Sequence, residues 1–498
     1  MGEIRKQVLQ SSFLSYVGFL IGAANTYFFA RAGFFTTEQY GLTQVILSLS
    51  QIIAPLATLG MTGFMNRFFP YYQSHLDNKK NDMLMLTVLV SGIGIVLMFV
   101  GCFIFEPLVI RKFQAKSPLL VEYYYWTLLF AFFFTLFTLL ESYLYTLKRS
   151  VLPSFMKETF YRLCVTILIA LYLFRVIDFG IFVVLFCCTY LLIVAILLVY
   201  LVKTKQFHFA TSFSSVTKRF KKNIRVYVSY VYTGLAVNSI ARQIDTIALA
   251  GGQNLATTGI YSLNQFVAAI IQVPYRGVIA VAGPHIAEGW KNKNYQEIAR
   301  IYQRSSINLL LIGAFLFCNI WLNYDDGLKV VHIDNDFAAG KTVFLLLGIC
   351  NVFELSTGSN SALLSTSPAW RFEFYSGLLL LALSIPSNIF AAKFYGMDGV
   401  AFVTSATLVL YNIVRLIFIW LRFKMWPFTV KTIYAILLLL ACHLITWYLL
   451  SDMHSLLGII LRGLLFSTIF FAGVFYLKLT PDLTQFLEVM KKRLMKKK

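Results

Sequence analysis

The sequence predicts an all-α polytopic membrane protein with 14 transmembrane helices, and three observations carry that prediction. Of 498 residues, 58% are hydrophobic and only 13% are charged, whereas a soluble globular chain carries about 25% charged residues. Apolar runs of about 20 residues, enough for a helix to cross a bilayer, recur from end to end. The 43 Lys and Arg residues concentrate on alternate connections between those runs. Too few charges remain to cover soluble domains. Secreted disulfide scaffolds and nuclear factors are thereby excluded.

The first run, 8–33, ends in Ala30-Arg31-Ala32, which resembles a signal-peptide cleavage site. It is too long for a signal core and the next run follows at once, so a retained helix is expected. The following runs are 39–64, 83–105, 121–146, 152–174, 179–202, 226–250 and 257–283. The last six are 304–323, 338–363, 373–393, 397–421, 430–450 and 455–477. An even number places both termini on one side of the membrane. Thirty of the 43 basic residues lie on that side and eight on the other. The remaining five lie deeper within runs: Arg162, Arg242, Arg276, Arg415 and Arg462. The bias predicts that both termini are cytoplasmic, and it accounts for the net charge of +21 without nucleic acid.

The longest connection, 203–225, is basic and central, and reads as a cytoplasmic linker between two lobes, 1–202 and 226–421. Residues 422–477 supply two further helices, and 478–498 form a basic cytoplasmic tail suited to an anionic leaflet. All seven cysteines fall inside apolar runs without metal-type spacing, so neither a redox nor a zinc role is expected.

The two halves repeat. Thr36-Thr37-x-x-Tyr40-x3-Gln44-x6-Gln51 matches Thr257-Thr258-x-x-Tyr261-x3-Gln265-x6-Gln272 at a constant offset of 221, with Pro55 and Pro274 following. Two six-helix units that start in the same orientation are parallel repeats, with two helices left over. Transporters built this way bind cargo between the halves and alternate access by rocking them.

Ile4-Arg5-Lys6-Gln7, Ser15-Tyr16-x-Gly18, Glu38-Gln39-Tyr40-Gly41-Leu42, Ala54-Pro55-Leu56-Ala57-x-Leu59-Gly60-Met61 and Asn66-Arg67-Phe68-Phe69-Pro70-Tyr71-Tyr72 carry a family resemblance. Over about the first 75 residues the chain resembles the polysaccharide-biosynthesis branch of the multidrug/oligosaccharidyl-lipid/polysaccharide (MOP) exporter superfamily. That branch contains the lipid-linked oligosaccharide (O-antigen) flippases. The resemblance implies a V-shaped, MATE-like two-lobe fold in the bacterial inner membrane. It also implies translocation of undecaprenyl-diphosphate-linked glycan to the outer leaflet, and contact with polysaccharide polymerase or ligase machinery. Lipid II flippases and drug/cation antiporters look like cousins.

A diphosphate head group requires a wet cationic cavity, and arginine suits it because its planar fork pairs two oxygens and keeps its charge. Arg242 and Arg276 lie in the seventh and eighth runs, which line the central cavity in this superfamily, and are the expected head-group ligands. A pair with Asp245 on the same helix is the alternative for Arg242. Arg31 and Arg67, at run ends, either touch a phosphate or snorkel to lipid head groups. Arg162 is expected to pair with Glu141.

By the same resemblance, Asp245 is the expected coupling acid, with Ser384 and Asn388 on the eleventh run and Val400 and Thr404 on the twelfth. Such oxygen ligands with one carboxylate suit Na⁺ or H⁺ as coupling ion. No other cofactor, metal site or catalytic residue is expected. Gly340-Lys341-Thr342 lacks the first glycine of a P-loop. Asp325, Asp326, Asp334 and Asp336 read as a solvated acidic loop, and Glu354 as either a cavity acid or a hydrogen-bonded core residue. A membrane polymerase or ligase is the competing class. Six scattered histidines and the lack of a large outer loop argue against it.

Overall fold

The computed structural model describes residues 2–76, 81–206, 210 and 212–480, with side chains from Leu14 onward. The basic tail expected beyond Thr480 lies outside the described residues. The chain forms two compact units, Met1–Gly259 and Ile260–Lys498. The first contains α1 (Gly2–Ala30), α2 (Thr37–Ala57), α3 (Met61–His75), α4 (Met83–Ile104), α5 (Glu106–Phe113) and α6 (Pro118–Glu122). It continues with α7 (Tyr124–Thr146), α8 (Val151–Phe155), α9 (Tyr161–Leu173), α10 (Phe179–Lys203), α11 (Ser215–Gly252) and the start of α12 (Leu255–Ile270). The second holds α13 (Val273–Lys291), α14 (Tyr295–Leu322), α15 (Tyr324–Val330), α16 (Lys341–Ser356) and α17 (Asn360–Thr366). It ends with α18 (Arg371–Phe394), α19 (Gly396–Phe423), α20 (Val430–Leu450) and α21 (Leu456–Tyr476).

The protein is an all-helical, multi-pass membrane protein. Each of the fourteen apolar runs coincides with a helix or with consecutive helical pieces. Among the described residues, ten helices are long and apolar enough to cross a membrane, or eleven with the pair α12–α13 counted as one span.

Helices start where side chains satisfy the free N–H groups of the first turn. Thr36 and Gln39 form a capping box on α2: the Gln39 N–H donates to Thr36 Oγ1 at 3.1 Å, and the Thr36 N–H donates to Gln39 Oε1 at 3.0 Å. Asp178, Ser214 and Ser455 cap α10, α11 and α21 by accepting from the N–H three residues on, without the reciprocal bond.

Several runs expected as single helices are broken. The second splits after Pro55 into α2 and α3, with Gly60 at φ +76° in the hinge. The eighth splits before Pro274 into α12 and α13, bent by 45°. A proline has no N–H to continue the ladder and its ring crowds the preceding turn. The fifth carries a π-turn at Met156–Phe160 between α8 and α9. The expected 203–225 linker is also helical over its second half. From Ser215 it is the first part of α11, which runs unbroken to Gly252.

In the first unit α2 packs against α7 and α11, and α10 against α7 and α9. Phe130, Phe137, Phe182 and Phe186 are fully buried there, with Phe130 and Phe186 stacked at 5.6 Å. Close backbone approach occurs at Gly41, where a Cβ would stand 1.9 Å from the Leu255 carbonyl oxygen. Such small-residue contacts are how helices in lipid gain packing energy. The start of α11 is tied down by Asp82. Its Oδ2 accepts from the Ser214 N–H at 2.9 Å and from Thr217 Oγ1 at 2.7 Å, and the Tyr72 hydroxyl lies 2.6 Å from Thr217 Oγ1. In the second unit the hairpin α20–α21 packs on α14 around Phe466 and Phe470.

Two sequence expectations are corrected by ion pairs. Glu141 is bonded by Lys157, at 3.2 Å, and Arg162 pairs with Glu158 one turn earlier, at 3.3 Å. Glu158 lies in the π-turn Met156–Phe160 and Arg162 just beyond it. Asp326, expected in a solvated loop, is 5% exposed and is held by Arg462 of α21 and His454. Asp325, by contrast, is exposed and pairs with Lys341 at 2.5 Å.

Candidate functional site

The residues expected to carry chemistry divide between the units. Arg31, Arg67, Arg242 and Asp245 belong to the first, and Arg276, Ser384, Asn388, Val400 and Thr404 to the second.

Arg242 and Asp245 sit toward the C-terminal end of α11, because that helix begins well before the apolar run. Arg242 is exposed, and its Nε donates to Asn238 Oδ1 at 2.7 Å, one turn back. Holding the guanidinium by Nε leaves its two NH₂ groups as the fork a phosphate would take. The neighbouring Gln243 donates from Nε2 to Gln51 Oε1 of α2 at 2.8 Å, which fixes the rotation of α11 beside Arg242. Asp245 is 3% exposed, and its Oδ1 accepts from the Thr246 N–H at 2.7 Å.

Arg67, on α3, lies over the Tyr227 ring of α11 with its guanidinium carbon 4.4 Å from the centroid. Arg31 lies against Phe34 and Tyr27 at 5.0 and 5.8 Å. Stacking on a ring face holds each charge without a counter-ion.

In the second unit Arg276 is exposed near the start of α13 and makes no ion pair or hydrogen bond among the described residues. The expected coupling residues of α18 and α19 come together. Thr404 Oγ1 donates to Asn388 Oδ1 at 2.9 Å, and Asn388 Nδ2 donates to the Ser384 carbonyl at 2.9 Å. Ser384, Asn388 and Val400 are buried. The Asn388 amide is thus bonded at both ends within its own unit.

Glu354, left open by the sequence, joins a polar triad. Gln272 Nε2, at the α12–α13 bend, donates to Glu354 Oε2 at 2.6 Å and to Asn351 Oδ1 at 2.9 Å. The repeated glutamines Gln51 and Gln272 therefore both bond a polar side chain on a neighbouring helix, which the constant spacing foreshadows. Sequence reasoning missed the Asp326–Arg462–His454 cluster, whose partners are 128 and 136 residues apart. The one available signal was an arginine inside an apolar run. Burial works to raise the Asp326 carboxyl, but the bonds from Arg462 and His454 prevail and hold it below the usual carboxylate range. A cavity of 1110 Å³ between the ends of α1 and α9–α10 is lined by none of the expected site residues.

A family model described as "Polysaccharide biosynthesis protein" matches residues 6–290. No curated protein matches the chain. Among solved structures, the chain is similar to a lipid II flippase, MurJ, in an inward closed conformation. The TM-score is 0.71 at 15% identity, covering 95% of this chain and 99% of that one. It is also similar to an inward-facing multidrug resistance MATE family transporter of the MOP superfamily. There the TM-score is 0.64 at 14% identity, covering 82% of this chain and 95% of that one. A MATE multidrug transporter, DinF-BH, matches with a TM-score of 0.54 at 14% identity, over 84% of this chain and 95% of that one. The fold is that of these flippases and transporters.

Proposed function

The chain belongs to the polysaccharide biosynthesis protein family, and on that premise we propose that it is a flippase for undecaprenyl-diphosphate-linked oligosaccharide. It would carry the repeat unit of an O-antigen, capsule or exopolysaccharide from the inner to the outer leaflet by alternating access. Both termini are then cytoplasmic, as the distribution of Lys and Arg supports.

The observation that carries the reading is the state of Arg242 and Arg276. Both are exposed, Arg242 on α11 and Arg276 on α13, within the runs expected to be the seventh and eighth spans, and the Nε bond of Arg242 leaves its NH₂ groups as the fork. A charge in a bilayer span is costly unless an opposite charge meets it, and a diphosphate cargo brings one. A drug antiporter for cationic compounds would place carboxylates there instead. Asp245, with the Ser384–Asn388–Val400–Thr404 set, is the proposed coupling site for Na⁺ or H⁺.

The test is complementation of a strain lacking the protein. Arg242→Ala and Arg276→Ala should each lose surface polysaccharide at normal protein levels. The Lys variants should restore it only in part, because an ammonium lacks the bidentate fork. Full polysaccharide from both alanine variants would refute the cationic-cargo reading.

A further inference from the structure

Beyond the transport residues, the second unit holds a charged cavity that no part of the proposed cycle uses. It measures 610 Å³ and lies where α14 ends, α20 ends and α21 begins, under α15. Lys329, Lys341, Asp325, Asp326 and Arg462 line it together with Trp447. A second groove, 420 Å³, lies alongside and is lined by Leu444, Ile445, Trp447, Tyr448 and Leu449. Leu444 and Trp447 line both. A polar recess and an apolar groove on α20 thus share a wall at Leu444 and Trp447, and the groove's side chains are exposed, Trp447 at 58% and Tyr448 at 81%. Helix ends mark the membrane–water interface, and indoles settle at that level. A head above a chain is the shape of a membrane amphiphile.

Charge selects among amphiphiles. Asp326 is taken up by buried Arg462, and Asp325 by Lys341, whose Nζ also stands 5.1 Å from the Trp321 ring centre. Lys329 is exposed and has no ion pair among the described residues. Three permanent cations against two carboxylates leave one positive charge while His454, beside Asp326, is neutral. A phosphodiester carries one negative charge and matches it. A diphosphate carries more and leaves charge uncompensated, while a zwitterionic head brings its own ammonium and gains nothing from Lys329. His443 adds a buried Nδ1 on the same wall that makes no hydrogen bond among the described residues.

We propose that the cavity and groove form a binding site for an anionic phospholipid. Its phosphodiester sits by Lys329 and Lys341, its glycerol region against Trp447, and an acyl chain along Leu444, Ile445 and Tyr448. In the orientation proposed above, this is a lipid of the outer leaflet.

The experiment is native mass spectrometry of the purified full-length protein titrated with phosphatidylglycerol, phosphatidylethanolamine or undecaprenyl phosphate. Phosphatidylglycerol should bind more tightly than phosphatidylethanolamine. Lys329→Gln should weaken it roughly fivefold, the worth of one basic residue near an anionic head group, and leave phosphatidylethanolamine unchanged. Trp447→Ala should weaken both. Lys329 is exposed and outside the spans, so Lys329→Gln retains the wild-type melting temperature without added lipid. Equal binding of the two phospholipids, or phosphatidylglycerol affinity unchanged in Lys329→Gln, would overturn the proposal. So would tighter binding of undecaprenyl phosphate that Lys329→Gln abolishes, since that would give the site to the cargo. No flipping enters the measurement, so the result stands apart from the transport reading.

Discussion

Replacing Arg462 by methionine should cost the protein about 3–5 kcal/mol, the range for removing one partner of a buried ion pair. The Arg462 and Asp326 side chains are 7% and 6% exposed. Arg462 also donates to the carbonyls of Leu322 at 2.9 Å, Met453 at 3.3 Å and Gly458 at 3.3 Å. Methionine fills much of the volume but strands Asp326 with His454, which is 70% exposed and so well solvated. Two or three buried acceptors losing their donor, at about 1–3 kcal/mol each, reach the same range independently. At roughly 2–4 °C per kcal/mol for a unit of this size, the melting temperature in detergent should fall by about 10 °C. The double variant Arg462→Met/Asp326→Leu should recover most of the loss, because no unpaired charge stays buried. The pH dependence has a fixed sign. The folded carboxyl of Asp326 titrates below its unfolded value of roughly 3.9, so its contribution is full above that pH. It drains away as pH falls through the folded value, and Arg462→Met should flatten this acid limb. A single variant melting within about 2 °C of wild type, or a double variant no better than the single, would refute the reasoning.

Gly41→Ala should destabilise the first unit by about 1–3 kcal/mol, since its Cβ would meet backbone at Leu255, which moves only with α12. Thermal melts beside a Gly92→Ala control, where a Cβ meets nothing within 4 Å, check it. Asp245→Asn should abolish gradient-driven transport in proteoliposomes with imposed Na⁺ or H⁺ gradients, yet leave cargo binding near wild type. Retained gradient dependence would remove Asp245 from the coupling role.

The fold class was legible because the bilayer imposes one dominant rule, that about 20 apolar residues make a helix, and ten or eleven helices among the described residues obey it. Helix starts were less legible: α11, capped by Ser214, begins at Ser215, whereas the apolar run that the sequence shows begins at 226. Breaks were not legible. Pro55 and Pro274 were visible, but only the structure shows that the helix parts at both, and nothing in the residues announced the π-turn at Met156–Phe160. The cationic candidates were readable because an arginine in an apolar run is conspicuous by its cost. Their partners were not, since pairing is set by packing between distant segments. Asp82 meets Thr217 across 135 positions, and Asp326 meets Arg462 across 136.

Those breaks also decide which polar residues are free for chemistry. Parting a helix in lipid releases carbonyls that water cannot reach, and each must find a donor inside the protein. At the α2–α3 break, Ser91 Oγ of α4 donates to the Thr58 carbonyl at 3.2 Å. At the α12–α13 break, Asn351 Nδ2 of α16 donates to the Ala268 carbonyl at 2.8 Å, and the Asn351 side-chain oxygen then receives Gln272. Ser91 and Asn351 are thus committed to closing the chain. Glu354 differs. It meets the same Gln272 amide at 2.6 Å but accepts nothing from the broken backbone, and it has no ion pair among the described residues. The two breaks are therefore chemically unequal although the sequence repeats across them. The first is closed with neutral groups, whereas the second also meets a carboxylate from α16, bonded to Gln272 at the bend.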